Sequence, residues 1–112
     1  MKVEALTTHH SVLGSRLCKL WENGSLCDLT LKSRDGAHFK AHRLIVSAAS
    51  EPLAALLDGS FAESLSGAAT LETSPAAIEA MLSFIYRGVA SIDLKDVVDV
   101  LHLVHMYSEI HT

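Results

Sequence analysis

Residues 27–50 read CDLTLKSRDGAHFKAHRLIVSAAS, and this stretch decides the fold. Its first five residues alternate, with Cys27, Leu29 and Leu31 on one side and Asp28 and Thr30 on the other. Alternation marks a strand with one buried face, because successive side chains leave opposite sides of the backbone. Asp35-Gly36 supplies a hairpin turn signal. Ala37, Phe39 and Ala41 then alternate with His38 and Lys40, so the chain returns as a second strand. Residues 27–41 are expected to form a β-hairpin. At residues 43–49, RLIVSAA, the alternation stops and a short apolar helix is expected. Ser50 is placed to cap a following helix, where Pro52 costs little because first-turn N–H groups have no intrahelical partner.

Working outward, residues 9–22 carry Leu13, Leu17, Leu20 and Trp21 at i, i+4, i+7 and i+8, one apolar stripe of a helix that stops at Asn23-Gly24. That stripe must be covered, either by the domain's own core or by a partner helix. Residues 1–7 suit a marginal strand or an arm. Downstream, Leu53, Leu56 and Leu57 form the inner face of a helix ended by Gly59. Residues 60–69 read as a loop with a short helical start, and Ala69 to Glu72 as a brief third strand. Ser74-Pro75 opens another helix, striped by Ile78, Met81, Leu82 and Ile85 and closed by Arg87-Gly88. After an extended stretch over 89–92, Asp93 is expected to cap a last helix to about Ser108, with Leu94, Val97, Val98, Leu101 and Val104 as its buried stripe. The fold class is α+β, with helices clustered on a small, mainly three-stranded sheet.

The 112 residues suit one domain, and 49% are apolar. That fraction excludes a disordered chain. It fits either a leucine- and alanine-rich core or additional surface buried between subunits. Net charge is −4. The nine basic residues, Lys2, Arg16, Lys19, Lys32, Arg34, Lys40, Arg43, Arg87 and Lys95, are scattered among acids. Neutralising phosphates takes clustered Lys and Arg, so direct nucleic-acid binding is not expected. The N-terminal sequence has no secretory pattern and no apolar run reaches membrane-spanning length. A cytoplasmic or nuclear location is expected, without membrane attachment. Cys18 and Cys27 are too few for a disulfide framework and read as reduced and half-buried.

Catalytic chemistry finds little support. No motif orders a cysteine or serine with a base, the glycines are dispersed, and no small-molecule substrate or cofactor is implied. Of seven histidines, His102 and His105 sit i, i+3 on a helix with His111 nearby. A stable metal site usually needs more ligands held by supporting groups, so none is expected.

The stretch from Cys27 to Ser50 resembles the signature of the BTB/POZ domain family: a CD-hydrophobic strand, a DG turn, F-x-AHR, an apolar helix and an S-x-x-F/L segment. Phe84-Ile85-Tyr86-Arg87-Gly88 is similar to the family's F-x-Y-x-G helix end. His9, Leu13, Leu17 and Leu20 fit its first helix, so matches run from about His9 to Ile110. The AHR signature resembles the dimeric Kelch-like and zinc-finger-associated group more than the tetramerising channel group. Two departures stand out. Leu103 and Val104 occupy places where members usually carry small residues, and the chain is expected to stop before a further helix found in many members.

The resemblance implies a non-enzymatic protein-interaction module occupying residues 1–112. It implies a homodimer built on Leu13, Leu17, Leu20 and Trp21, with helix 43–49 beneath. Asp28 and Arg43 match a charged pair near the dimer floor, structural in role. Phe61-Ala62-Glu63 resembles the hydrophobic-x-Glu motif with which adaptor members grip a cullin-type ubiquitin-ligase scaffold, although Phe61 folding back onto the core is at least as good a reading. His42, within AHR, is structural. The implied functions are adaptor for a cullin-type ligase, dimerisation and corepressor-docking domain of a transcription regulator, or plain self-association scaffold.

Overall fold

The structure, a computed structural model, describes residues 9–57 and 67–107, with the backbone alone for residue 56 and for 104–107. Helix α1 (His9–Glu22) leads into strands β1 (Leu29–Lys32) and β2 (His38–Ala41). Helices α2 (Arg43–Ala49) and α3 (Glu51–Leu57) follow, then strand β3 (Ala68–Thr70) and helix α4 (Pro75–Arg87). A 3-10 turn (Leu94–Asp96) precedes the last helix, α5 (Val97–Tyr107). The sheet order is β2-β1-β3, antiparallel between β1 and β2 and parallel between β1 and β3.

The hairpin register pairs Leu29 with Ala41 and Leu31 with Phe39. Leu29, Leu31 and Ala41 are buried while His38 and Lys40 are exposed, as alternation requires. Cys27 precedes the first strand instead of opening it. The turn is built around Ser33. Its carbonyl accepts the Gly36 N–H at 3.0 Å, and its hydroxyl accepts the Ala37 N–H at 3.0 Å while donating to the Asp35 carboxylate. Gly67 sits at φ 74°, where an added Cβ would meet the Asp28 carbonyl oxygen at 3.2 Å. The approach lets the Thr30 N–H reach the Gly67 carbonyl at 2.7 Å and sets β3 beside β1.

Helix ends follow the local chemistry of the sequence. At the end of α1 the Gly24 N–H bonds the Trp21 carbonyl and the Ser25 N–H bonds the Leu20 carbonyl, with Gly24 at φ 69°. This is the paired-bond stop that glycine permits. Ser50 Oγ accepts the Leu53 N–H at 3.3 Å, and Ser74 Oγ accepts the Ala77 N–H ahead of Pro75 at 3.3 Å. Both serines are therefore the caps expected of them.

The core gathers Leu29, Leu31, Val46, Leu53, Leu57, Leu71, Ile78, Leu82 and Leu103 between the sheet and the helices. In α4, Ile78 and Leu82 are fully buried, Met81 and Ile85 pack beside them, and Ala77 and Tyr86 widen the face. The last helix departs from expectation. Among its described side chains the buried ones are Val100 and Leu103, whereas Leu94 is 92% exposed, Val98 77% and Leu101 62%. Val97 is half-buried and the Val104 side chain lies outside the described residues. The helix is apolar around most of its circumference, so periodicity admits more than one inward face. Leu94 belongs to the 3-10 turn, and counting the stripe from it sets the phase wrongly. Asp93 precedes that turn but makes no side-chain cap bond. The third strand spans Ala68–Thr70 and not Ala69–Glu72, although Leu71 just beyond it is buried. The expected arm over 1–7, the helix stop at Gly59 and most of the 60–69 loop fall outside the described residues.

Candidate protein-interaction surface

Helix α1 presents its apolar stripe without burying it. No residue of this wholly described helix is buried. Leu13 is 47% exposed, and Leu17, Leu20 and Trp21 are intermediate. From α1, Cys18 and Trp21 pack against the core. The domain's own core therefore covers only part of the stripe.

The C-terminal half of the helix carries its contacts with the rest of the domain, through Cys18, Trp21 and Glu22. The Trp21 ring stacks on Tyr86, with centroids 4.7 Å apart and planes 3° from parallel. Its indole N–H donates to the Lys40 carbonyl at 3.1 Å. The Arg87 guanidinium lies 4.9 Å from the Trp21 ring centroid and bonds the Glu22 carboxylate at 2.6 Å. That ion pair is solvent-exposed and contributes about 0–1 kcal/mol, so the aromatic stack does most of the holding.

Tyr86 is held in turn by His42, 44 residues away in sequence. The Tyr86 oxygen accepts the His42 main-chain N–H at 2.9 Å and lies 2.8 Å from His42 Nδ1. His42 Nε2 lies 2.8 Å from the Ser25 carbonyl oxygen. A carbonyl can only accept, so in the neutral ring Nε2 carries the hydrogen and Nδ1 receives the phenol proton. Burial first of all pushes the Tyr86 phenol up to about 12. Burial also pushes up the Cys27 thiol, whose sulfur lies 3.6 Å from His42 Nε2. Cys18 and Cys27 are both free and half-buried.

Asp28 and Arg43 meet, through different atoms than an ion pair would use. The Asp28 carboxylate accepts the Arg43 main-chain N–H at 2.7 Å, and the guanidinium donates to the Leu57 carbonyl at 2.5 Å. His42, the residue before α2, makes no side-chain cap bond. Asp28 supplies that function from the neighbouring segment, satisfying a first-turn N–H of α2. Near Asp28 and Arg43 along the chain are two exposed leucines that sequence patterns did not single out. Leu44 is 77% exposed, and Leu26 is 81% exposed at φ 60°. A left-handed backbone at a leucine costs about 1–2 kcal/mol. Neither has a sequence signal, since exposure is a tertiary outcome.

Phe61 and Glu63 lie outside the described residues, as does His111. Among the described residues no group of three or more His, Cys, Asp or Glu side chains could hold a metal, and no helix is long and apolar enough to cross a membrane. His102 is exposed and the His105 side chain is not described.

The profile of the BTB/POZ domain matches residues 17–111. Mouse Kelch-like protein 11 is 33% identical over 106 residues, covering 87% of this chain and 15% of that protein. Human zinc finger and BTB domain-containing protein 34 is 36% identical over 94 residues, covering 83% of this chain and 18% of that protein. The solved BTB domain of zebrafish PATZ1 superimposes with a TM-score of 0.77 at 18% identity, over 94% of this chain and 85% of that one. The chain thus spans less than a fifth of the length of these curated relatives. The chain belongs to the BTB/POZ domain family, related to both the Kelch-like and the zinc-finger-associated groups. It is an interaction domain, of a family of non-catalytic scaffolds that mediate protein–protein contact and dimerisation.

Proposed function

We propose that the protein forms a homodimer through α1, and that the dimer is an adaptor recruiting a cullin-type ubiquitin-ligase scaffold. The observation that carries the first part is the apolar stripe of α1, left unburied by the protomer that holds it. A second copy supplies the missing cover. Covering apolar area contributes roughly 25 cal/mol per Å² before the costs of association. Leu26 and Leu44 are further exposed leucines available to a partner.

The adaptor part is supported by Phe61-Ala62-Glu63, where an aromatic anchor and a nearby carboxylate fit a pocket and its polar rim. Similarity to Kelch-like protein 11 favours the same reading. Similarity to zinc finger and BTB domain-containing protein 34 favours a second, in which the dimer docks a corepressor for a transcription regulator. Light scattering across a concentration series, with Leu17→Asp and Leu13→Asp beside the parent, tests the dimer. The expected result is a dimeric parent and folded monomeric variants; a parent that stays monomeric throughout refutes it. Capture of a cullin by the parent, lost in Phe61→Ala and Glu63→Ala, decides between adaptor and corepressor docking.

A further inference from the structure

We propose that the Tyr86 hydroxyl and His42 are positioning residues for self-association, setting where α1 sits against the sheet and so how its apolar stripe is presented. The inference rests on the reading that α1 is the dimer surface. No residue of α1 is fully buried, and only Cys18 and Trp21 pack against the core, so few apolar contacts set the angle of the helix. A closed circuit of contacts adds to them. Trp21 of α1 lies flat on the Tyr86 ring. The Tyr86 oxygen is fixed by two groups of His42, its main-chain N–H and Nδ1. His42 Nε2 bonds Ser25 in the turn that ends α1, closing the circuit. The indole N–H ties the same tryptophan to Lys40 on β2. The phenol oxygen joins the halves of the circuit, because α4 meets the β2–α2 junction there.

Deleting that oxygen keeps the ring, its stack on Trp21 and its place in the core. It leaves His42 Nδ1 and the His42 N–H without their shared partner, so the circuit opens and the helix is held by the stack, the indole bond and the His42–Ser25 bond alone. Affinity depends on both protomers being preorganised, so looseness in α1 counts twice in a symmetric pair.

The test pairs sedimentation equilibrium with amide hydrogen exchange on the full chain, comparing the parent with Tyr86→Phe. His42→Gln, which breaks the circuit from the other side and leaves the Tyr86 ring untouched, guards against a folding defect in either variant. Expected are folded variants whose dimer dissociates roughly tenfold more readily, as loss of a buried hydrogen bond allows. Exchange should quicken in α1 while β1 and α4 keep the parent's protection, a local pattern that general destabilisation does not produce. A dimeric parent with variants of equal affinity and equal α1 exchange overturns the proposal and leaves the dimer reading standing. Quickening spread evenly over all elements also overturns it, since the circuit would then be ordinary core. A monomeric parent refutes the dimer reading and with it the role in self-association.

Discussion

Leu13→Asp separates surface from core most cleanly. In the protomer Leu13 is 47% exposed and forms no part of the buried core. The folded monomer loses the half of the leucine's burial already made within the protomer, about 0.75–1.5 kcal/mol, and a helix-propensity difference of about 0.5 kcal/mol, which together lower Tm by roughly 5–15 °C in a domain of this size. In the dimer the cost is larger. Full burial of a leucine contributes about 1.5–3 kcal/mol. Roughly half of that, scaled from full burial, is still available to the interface from each protomer. Two copies therefore forfeit about 1.5–3 kcal/mol. Desolvating two carboxylates against apolar neighbours adds at least about 1 kcal/mol each. The total of about 3 kcal/mol or more corresponds to a Kd raised over 100-fold. Sedimentation velocity across concentrations reads the Kd, and thermal melting by circular dichroism reads the fold. An unchanged Kd would refute the interface assignment. A chain that no longer folds would instead place Leu13 in the core.

Two further outcomes follow from the geometry. Asp28→Ala should lower stability by about 0.5–2 kcal/mol, the ordinary cost of losing a helix cap, because it strands the Arg43 N–H. Urea unfolding measures this, and a midpoint equal to the parent's would show that the contact carries no weight. Tyr86 should ionise late. Its folded value of about 12 lies above the ordinary phenol value, so the stability it carries is complete below pH ~10 and lost as pH rises towards ~12. The difference at 295 nm between the parent and Tyr86→Phe isolates this titration, and a midpoint near the ordinary value contradicts the buried, hydrogen-bonded phenol.

The candidate surface was legible only in part. Leu13, Leu17, Leu20 and Trp21 declared one helix face through their spacing, but spacing cannot say whether a core or a partner covers it. The family signature implied a charged pair of Asp28 and Arg43, whereas the bond that joins them runs to the Arg43 main-chain N–H, which no side-chain pattern records. Leu26 and Leu44 carried no signal, because an isolated leucine in a turn or a short helix reads as core until packing leaves it outside.

What the sequence by itself determined lies within a few residues: the hairpin through alternation and the Asp35-Gly36 turn, the stop of α1 at Gly24, the caps at Ser50 and Ser74, and the inner face of α4. Each depends on backbone geometry and on donors and acceptors close along the chain. Only the tertiary structure decided the rest. It chose Val100 and Leu103 as the inner face of α5, because a helix apolar nearly all round takes its orientation from the neighbours it meets. It joined Trp21 to Tyr86 and Tyr86 to His42 across dozens of residues, because such contacts have no period and exist only once separate elements have packed.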